Sequence, residues 1–230
     1  MTDYEYVKNN YRELLAEIDG LGERYGRKIT LVAVTKSGSD EELLALAEAG
    51  VTDIGENRPQ ELKRRGDLLR AAGYSPRLHE IGNLQRNKVR LVVGDAHLIH
   101  SVGSLQLAEE ISKQAVRLGI TVDVLLEVNS GEEEAKGGFL PDEVLGVIPT
   151  LKTLPGIRLS GMMTMGPVTD DPEKTRPYFR LTKALFDEAE AACGFEGGGV
   201  LSMGMSDSYR VAIEEGSTLV RVGRKIFVKA

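Results

Sequence analysis

The sequence predicts a closed α/β barrel, a single (β/α)8 TIM barrel with an extra N-terminal helix. Three observations predict it: eight short apolar runs rich in β-branched residues, amphipathic segments between them, and an even spread of both along the 230 residues. Alternation of this kind builds parallel sheets covered by helices, and eight units close a barrel. An open doubly wound sheet made of the same units remains the alternative.

The first element is a helix from about Asp3 to Tyr25, in front of the first strand. One apolar stripe at helical spacing marks it. Its members are Val7, Tyr11, Leu14, Ile18 and Leu21. The pattern changes at Ile29–Thr35, where most residues are apolar or β-branched. Such a run predicts a strand that is covered on both faces.

From this point strands and helices alternate, and no linker or repeat divides the chain, so residues 1–230 are expected to form one domain. The further predicted strands are Val51–Ile54, Leu78–Ile81, His97–His100, Val122–Val128, Ile157–Met162, Val200–Ser202 and Thr218–Val222. The predicted helices between them are Asp40–Ala49, Pro59–Ala71, Leu105–Leu118, Pro141–Leu151 and Pro172–Ala192. Glycines at joints such as Ala49–Gly50 suit the passage from helix to strand.

Composition excludes several classes of function. The net charge of -6 and the absence of Trp argue against a nucleic-acid partner, which needs a basic face and stacking surface. The single cysteine, Cys193, cannot form an intrachain disulfide. The polar N-terminus does not resemble a signal peptide, and no apolar run has the length of a membrane span. We therefore expect a cytoplasmic protein, and a monomer, with no membrane partner.

Polar and Gly-rich residues collect where the predicted strands end. In parallel barrels the reactive groups lie at the carboxyl ends of the strands, so these residues are expected to share one rim. They are Lys36, Gly55–Arg58, Gly82–Lys88, Ser101, Asn129–Ser130, Met162–Gly166, Ser202–Asp207 and Arg221–Arg224. This rim is the predicted functional site.

Lys36 follows an apolar strand, so its stem is expected to be buried with its amine in the barrel mouth. Desolvation and nearby cations make a lysine a usable nucleophile toward an aldehyde. The plainer interpretation is a solvated lysine at a strand end, and position alone does not decide between the two.

The segments Ser202–Gly204 and Gly223–Arg224 follow the last two strands, where barrels of this kind often bind phosphate. Small residues let backbone N–H groups approach an anion, and Ser206-Asp207 is predicted to begin a helix whose dipole would help. Tight turns are the alternative interpretation of these glycines. A phosphate site together with Lys36 is the arrangement that pyridoxal 5'-phosphate requires.

Arg221 would then lie beside the pyridine ring of that cofactor. A guanidinium stays protonated and donates to the ring nitrogen, which leaves that nitrogen neutral. A neutral pyridine is a weaker electron sink than the pyridinium that enzymes usually secure with an acidic partner. Arg221 therefore disfavours carbanion chemistry.

The histidines do not predict a metal site. His97 and His100 are three residues apart in a predicted strand and should face opposite sides. His79 shares a face with Ile81 and is expected to be packed or to support the site from behind. No metal is expected.

Several long motifs together resemble one family. They are AVTK at Ala33–Lys36, IGENRPQEL at Ile54–Leu62, HEIGNLQRNK at His79–Lys88, EVNSGEEEAKGGF at Glu127–Phe139, SGMMTM at Ser160–Met165 and LSMGMSDSYRVAIEEGSTLVRVG at Leu201–Gly223. In this order they resemble the pyridoxal phosphate homeostasis proteins, whose fold is similar to the N-terminal barrel of alanine racemase.

The resemblance implies a cofactor carrier or regulator of the vitamin B6 and amino-acid pools, without a committed reaction and without catalytic residues. It implies a Schiff base on Lys36 and a ring nitrogen facing Arg221. The remaining residues that it implies around the cofactor are Asn57 and His79 near the ring, and Ser202, Met203, Gly223 and Arg224 near the phosphate. Apoenzymes that need the cofactor are the implied partners.

The chain departs from the family pattern at Arg58, Asn83, Gly137, Arg224-Lys225 and Val228. Arg224 replaces a hydroxyl residue expected near the phosphate. Two other functions stay open. An amino-acid racemase would need a second domain with a tyrosine base, for which the 230 residues leave no room. A barrel for another phosphorylated metabolite would carry no cofactor on lysine.

Overall fold

The computed structural model describes residues 4–133, 137–195 and 198–229, and it has eight parallel strands in one closed barrel. The strands are β1 Thr30–Val34, β2 Asp53–Glu56, β3 Arg77–Glu80, β4 Leu98–Val102, β5 Val122–Val128, β6 Ile157–Thr164, β7 Val200–Ser202 and β8 Leu219–Val222. Each pairs with its neighbour in the chain, and β1 also pairs with β8. The predicted barrel is confirmed, and the open sheet is excluded.

Helices cover the outside of the barrel. They are α1 Glu5–Arg24, α2 Asp40–Glu48, α3 Pro59–Ala71, α4 Leu105–Leu118, α5 Val144–Thr153, α6 Arg176–Cys193, α7 Tyr209–Glu214 and α8 Arg224–Phe227. Short 3-10 helices span Arg86–Leu91 and Pro172–Thr175. Within the described ranges, no helix combines the length and the apolar character that crossing a membrane requires.

The extra N-terminal helix lies against the barrel through its predicted stripe. Val7, Tyr11, Leu14 and Ile18 are buried, whereas Leu21 is only partly buried and Gly22 takes the last buried position. A side chain at Gly22 would meet the carbonyl oxygen of Arg27 at 2.6 Å, which is why the helix can pack closely there. The helix packs mainly on α8 and α2.

Two separate apolar layers stabilise the fold. Inside the barrel, a small cluster joins side chains from five strands: Val32, Leu98, Leu125, Met163 and Leu219. Outside, two larger clusters fill the space between strands and helices. Because the interior cluster is small, polar side chains share the barrel interior with it, and they lead to the candidate site.

Several predicted boundaries are wrong. The strand predicted at Val51–Ile54 lies at Asp53–Glu56, so Gly55 and Glu56 belong to β2 rather than to the rim. Ser101 likewise lies inside β4, and Met162 to Thr164 lie inside β6. The helix predicted from Pro172 begins as a 3-10 turn and becomes α-helical only at Arg176. No helix was predicted over Arg86–Leu91.

Candidate functional site

A cavity of about 490 Å³ opens at the carboxyl ends of the strands, where the sequence predicts the site. It is lined by residues that follow β1, β2, β3, β6, β7 and β8, among them Lys36, Asn57, Ile81, Met165, Ser206, Asp207, Arg221, Gly223 and Arg224. Five of the eight predicted cofactor residues are in this lining. Ser202, Met203 and His79 are not.

Lys36 lies two residues beyond the end of β1 and is exposed. The expectation that strand packing buries its stem is wrong, because the packed strand ends before it. The turn that carries it is nevertheless held firmly. The Arg65 guanidinium donates to the carbonyl oxygens of Thr35 and Gly38, at 2.6 and 2.8 Å. The amine is therefore free to react while its backbone is fixed.

Arg221 approaches the same cavity from β8 and is only 4% exposed. Its Nη1 donates to Ser202 Oγ at 2.5 Å, and its Nη2 donates to the carbonyl oxygen of Thr164 at 3.0 Å. Burial lowers the pKa of Arg221 to about 10, and the nearby Glu127 carboxylate opposes that shift. The guanidinium is thus still a cation at neutral pH, in a fixed orientation.

The residues after β7 and β8 form a tight corner of the cavity. A Cβ at Gly223 would lie 2.6 Å from the carbonyl oxygen of Val34, so only glycine fits there. The Gly223 N–H points at Ser206 Oγ, 3.4 Å away. Gly204 has a φ of +94°, and a Cβ there would meet Ala212. This corner presents a backbone N–H and a hydroxyl group, which suit an anion.

The side chain of Arg224 does not replace the missing hydroxyl at this corner. It is 72% exposed and forms an ion pair with Asp207. The helix expected to begin at Ser206-Asp207 begins instead at Tyr209 and has six residues. The groups at this corner that suit an anion are therefore those of Ser206 and Gly223, and no long helix begins there.

Asn57 follows β2 and also lines the cavity. Gly82 makes this position possible, because a Cβ there would come within 2.2 Å of the Asn57 carbonyl oxygen. Asn83, a departure from the family pattern, also lines the cavity. The glycine that follows β3 therefore lets two amide side chains reach the mouth.

The three predicted residues outside the lining lie deeper in the molecule. Ser202 is fully buried beneath Arg221. Met203 packs in the outer apolar core. His79 lies inside the barrel, where its Nε2 is 2.9 Å from Asp53 Oδ1. Ser206, which the sequence placed only at the start of the helix after the predicted phosphate segment Ser202–Gly204, is a hydroxyl residue of the cavity lining.

The histidines are arranged differently from the prediction. The rings of His97 and His100 both contact the ring of His79, with centroid distances of 5.7 and 5.2 Å. The strand pleat does not separate them because His97 precedes the first residue of β4. Among the residues that the structure describes, no group of His, Cys, Asp or Glu is placed to hold a metal ion.

Comparison with known proteins identifies the family. Residues 4–229 match the alanine racemase N-terminal domain family. A pyridoxal phosphate homeostasis protein from Aquifex aeolicus is 38% identical over 217 residues, which cover 93% of this chain and 94% of the relative. One from Helicobacter pylori is 35% identical, covering 99% of each chain. The chain belongs to the pyridoxal phosphate homeostasis protein family.

A solved structure of PipY from Synechococcus elongatus, a COG0325 family member with PLP bound, is also similar. It is 26% identical and superposes with a TM-score of 0.84, covering 96% of this chain and all of PipY. Two of the positions at which this chain departs from the family pattern are Arg58 and Gly137. Arg58 is exposed, and Gly137 lies beside Glu127. Residues 134–136 of the motif Glu127–Phe139 lie outside the described residues.

Proposed function

We propose that this protein binds pyridoxal 5'-phosphate at the barrel mouth and takes part in the homeostasis of that cofactor. Lys36 would bind the aldehyde carbon, and Arg221 would face the ring nitrogen. Ser206 and the backbone of Gly223 and Arg224 would hold the phosphate. The observation that carries the proposal is the shared cavity, which an exposed amine and a buried cation both line.

The residues present fit the cofactor. The corner at Gly223 leaves no space for a Cβ, and the Gly223 N–H and the Ser206 hydroxyl lie together there beside the cavity, as an anionic group requires. Asn57 and Ile81 supply a polar and an apolar wall for a ring. PipY, which shares this fold and about a quarter of this sequence, has PLP bound.

When it is bound, pyridoxal phosphate supplies an electrophilic aldehyde and a ring able to accept electrons. Arg221 limits the capacity of the ring to accept electrons. Arg221 is a cation at neutral pH and can only donate a hydrogen bond, so a ring nitrogen facing it stays unprotonated. The site therefore suits retention of the cofactor better than carbanion chemistry.

We propose that the protein is a carrier or regulator rather than an amino-acid racemase. A racemase needs a proton-transferring side chain on each face of the bound substrate. The described residues that line the cavity include neither a tyrosine nor a histidine. The naming of its relatives as homeostasis proteins supports the same role.

For the setting of this function we propose a cytoplasmic monomer that hands the cofactor to apoenzymes. The support is indirect: the acidic, soluble composition, and a reactive amine that lies exposed at an open rim. Ser202, Met203 and His79 would act on the cofactor from behind the cavity wall rather than by contact.

A spectral titration tests the proposal. The purified protein, titrated with pyridoxal phosphate, is expected to develop the visible absorption band of a lysine-bound cofactor, and Lys36→Ala is expected to abolish it. Lys28→Ala is the matched control, because Lys28 is an exposed lysine just before β1 whereas Lys36 follows it. A band that persists in Lys36→Ala, or no band in the unmodified protein, would contradict the proposal.

A further inference from the structure

A row of five polar side chains crosses the inside of the barrel and ends at Arg221. His79 Nε2 is 2.9 Å from Asp53 Oδ1, and His79 Nδ1 is 2.9 Å from His100 Nε2. His100 Nδ1 is 2.9 Å from Ser202 Oγ, which also accepts a hydrogen bond from Arg221 Nη1 at 2.5 Å. All five residues are at most 4% exposed. Side chains from five strands, β2, β3, β4, β7 and β8, are therefore joined by continuous hydrogen bonds.

The direction of each hydrogen bond follows from its two ends. A guanidinium can only donate, so Ser202 Oγ accepts from Arg221. The Ser202 hydroxyl can still donate its own hydrogen to His100 Nδ1, and the ionised carboxylate of Asp53 at the other end, which can only accept, decides that it does. A neutral imidazole with Nδ1 accepting has its hydrogen on Nε2, and His100 donates it to His79 Nδ1.

The same reasoning completes the chain at its other end. His79 accepts at Nδ1, so its hydrogen is on Nε2 and is donated to the carboxylate of Asp53. Each ring nitrogen of His79 and His100 is then used once, between the cation at the mouth and the anion deep in the barrel. With Asp53 ionised, two neutral histidines satisfy the row in this one sense only, because the carboxylate cannot donate to His79.

We propose that Asp53, His79, His100 and Ser202 are positioning residues, which hold Arg221 in place through this one-way chain. None of them lines the cavity, and only Arg221 does. Ser202 and the Thr164 carbonyl oxygen bind the two outer nitrogens of the guanidinium and so fix its plane. The orientation of Arg221 toward a cofactor ring rests on the proposed function. The row of hydrogen bonds from Asp53 to Arg221 does not.

The charges around the row favour the same protonation. His79 faces Asp53, Arg77, His97 and His100, and His100 faces Arg221 in addition to the other two histidines. Burial lowers the pKa of both His79 and His100, so both rings are neutral at pH 7. Hydrogen bonds from His79, Arg77 and Thr52 lower the pKa of Asp53 to about 2 against the effect of burial.

One substitution is expected to reverse the direction of the hydrogen bonds between residue 53 and Ser202. Asp53 Oδ2 accepts from Arg77 Nη2 at 2.6 Å and from Thr52 Oγ1 at 2.7 Å. In Asp53→Asn the amide oxygen is held at that position, which turns the amide nitrogen toward His79. His79 Nε2 must then accept, its hydrogen moves to Nδ1, and His100 must follow in the same way.

Nitrogen-15 NMR of the imidazole rings in the cofactor-free protein tests this. In the unmodified protein, both His79 and His100 are expected to be neutral Nε2–H tautomers at pH 7. In Asp53→Asn, both are expected to become Nδ1–H tautomers, including His100, which does not touch residue 53. A protonated or Nδ1–H His100 in the unmodified protein would overturn the proposal, even if the variant does not fold.

Two further variants separate positioning from general support. His97→Gln alters the third histidine, which contacts His79 but is not in the chain, and it should leave both tautomers unchanged. Ser202→Ala removes the acceptor of Arg221 and should speed the rotation of its guanidinium, seen as broadened side-chain N–H signals. The proposal would be refuted if the His100 tautomer were unchanged in Asp53→Asn, or if the Arg221 side-chain N–H signals were unchanged in Ser202→Ala. Failure to bind pyridoxal phosphate would leave these results standing.

Discussion

Lys36 and Arg221 line one cavity but are held in opposite ways. Lys36 is exposed, and only its backbone turn is fixed, by Arg65. Arg221 is buried, and two partners hold its charged group. An accessible amine suits the capture and release of an aldehyde, whereas a fixed cation suits a permanent contact. In the proposed function, this pair would let one site bind a reactive cofactor and still restrain its chemistry.

A second group of buried charges lies below the rim, at the ends of β2 and β3. Glu56 and Glu80 are paired in register on these adjacent strands and are both buried. Glu80 Oε1 accepts from the Gly82 N–H at 3.0 Å, but its Oε2 has no hydrogen-bond partner. Burial, together with the charge of Glu56, raises the pKa of Glu80 to about 8.

Glu80→Gln is expected to stabilise the protein at high pH. The folded state holds the Glu80 proton up to about pH 8, whereas the unfolded state releases it near pH 4. The free energy of unfolding therefore falls as the pH rises from about 4 to about 8, and the neutral glutamine removes this decrease. We expect the free energy of unfolding to rise by about 2–4 kcal/mol at pH 9, with little change at pH 4. Urea unfolding at both pH values measures it.

Glu109→Gln serves as the control for that variant, because Glu109 is exposed on α4. It should change the unfolding free energy equally little at pH 4 and pH 9. A Glu80→Gln protein that is less stable than the unmodified protein at pH 9 would show that the Glu80 carboxylate is stabilising there.

The sequence predicts which residues line the cavity better for those that follow strands than for those that lie within them. Lys36, Asn57 and Gly223 follow strands, were predicted for the rim and line the cavity, and Arg221 lines it from within β8. Ser202 was predicted for the phosphate but lies beneath Arg221. One-dimensional spacing does not show how deep in the barrel a residue at a strand end lies, because that depends on the stagger of neighbouring strands.

At the level of single elements, the junction from β8 to α8 is the tightest part of the site. Gly223 is followed at once by the four-residue helix Arg224–Phe227, so the chain turns within one residue. The strand β1 lies so close that Val34 leaves no space for a side chain there. The N–H group of Gly223 points at Ser206 Oγ at this corner of the cavity.

Gly223→Ala is expected to weaken cofactor binding without unfolding the protein. The added methyl group would lie 2.6 Å from the Val34 carbonyl oxygen and would push β8 from β1 at the corner. Overpacking of this kind costs about 1–3 kcal/mol, and where that cost falls on the bound state it corresponds to about a 5- to 150-fold increase in the Kd for pyridoxal phosphate. Fluorescence titration measures the Kd.

Gly20→Ala is the matched control, because nothing lies within 4 Å of a Cβ at that helical position. It should leave the Kd unchanged and stabilise α1 by up to about 1 kcal/mol. Equal affinity of Gly223→Ala and the unmodified protein would place the phosphate elsewhere.

Elements with strong patterns were predicted almost to the residue, and weakly patterned ones were not. The bounds of β5, α3 and α4 agree with the prediction. The strand β2 was displaced by two residues because its inward residues, Asp53 and Gly55, are polar or small rather than apolar. The 3-10 helix over Arg86–Leu91 was missed because only Val89 is buried in it.

At the level of the whole molecule, closure of the barrel creates the site. Lys36 follows the first strand and Arg221 lies on the last, and they line one cavity because β1 pairs with β8 in the register Val32↔Arg221 and Ala33↔Val222. The same closure lets His100 on β4 reach Ser202 on β7 across the interior. An open sheet of the same units would separate these two pairs.

The measurement that tests the account most directly is chemical trapping of the cofactor in the unmodified protein. The protein is incubated with pyridoxal phosphate, reduced with borohydride, digested and mapped by mass spectrometry. We predict one modified lysine, Lys36, at close to one cofactor per chain. A label on a different lysine, or no label after reduction, would contradict the assignment of the barrel mouth as the cofactor site.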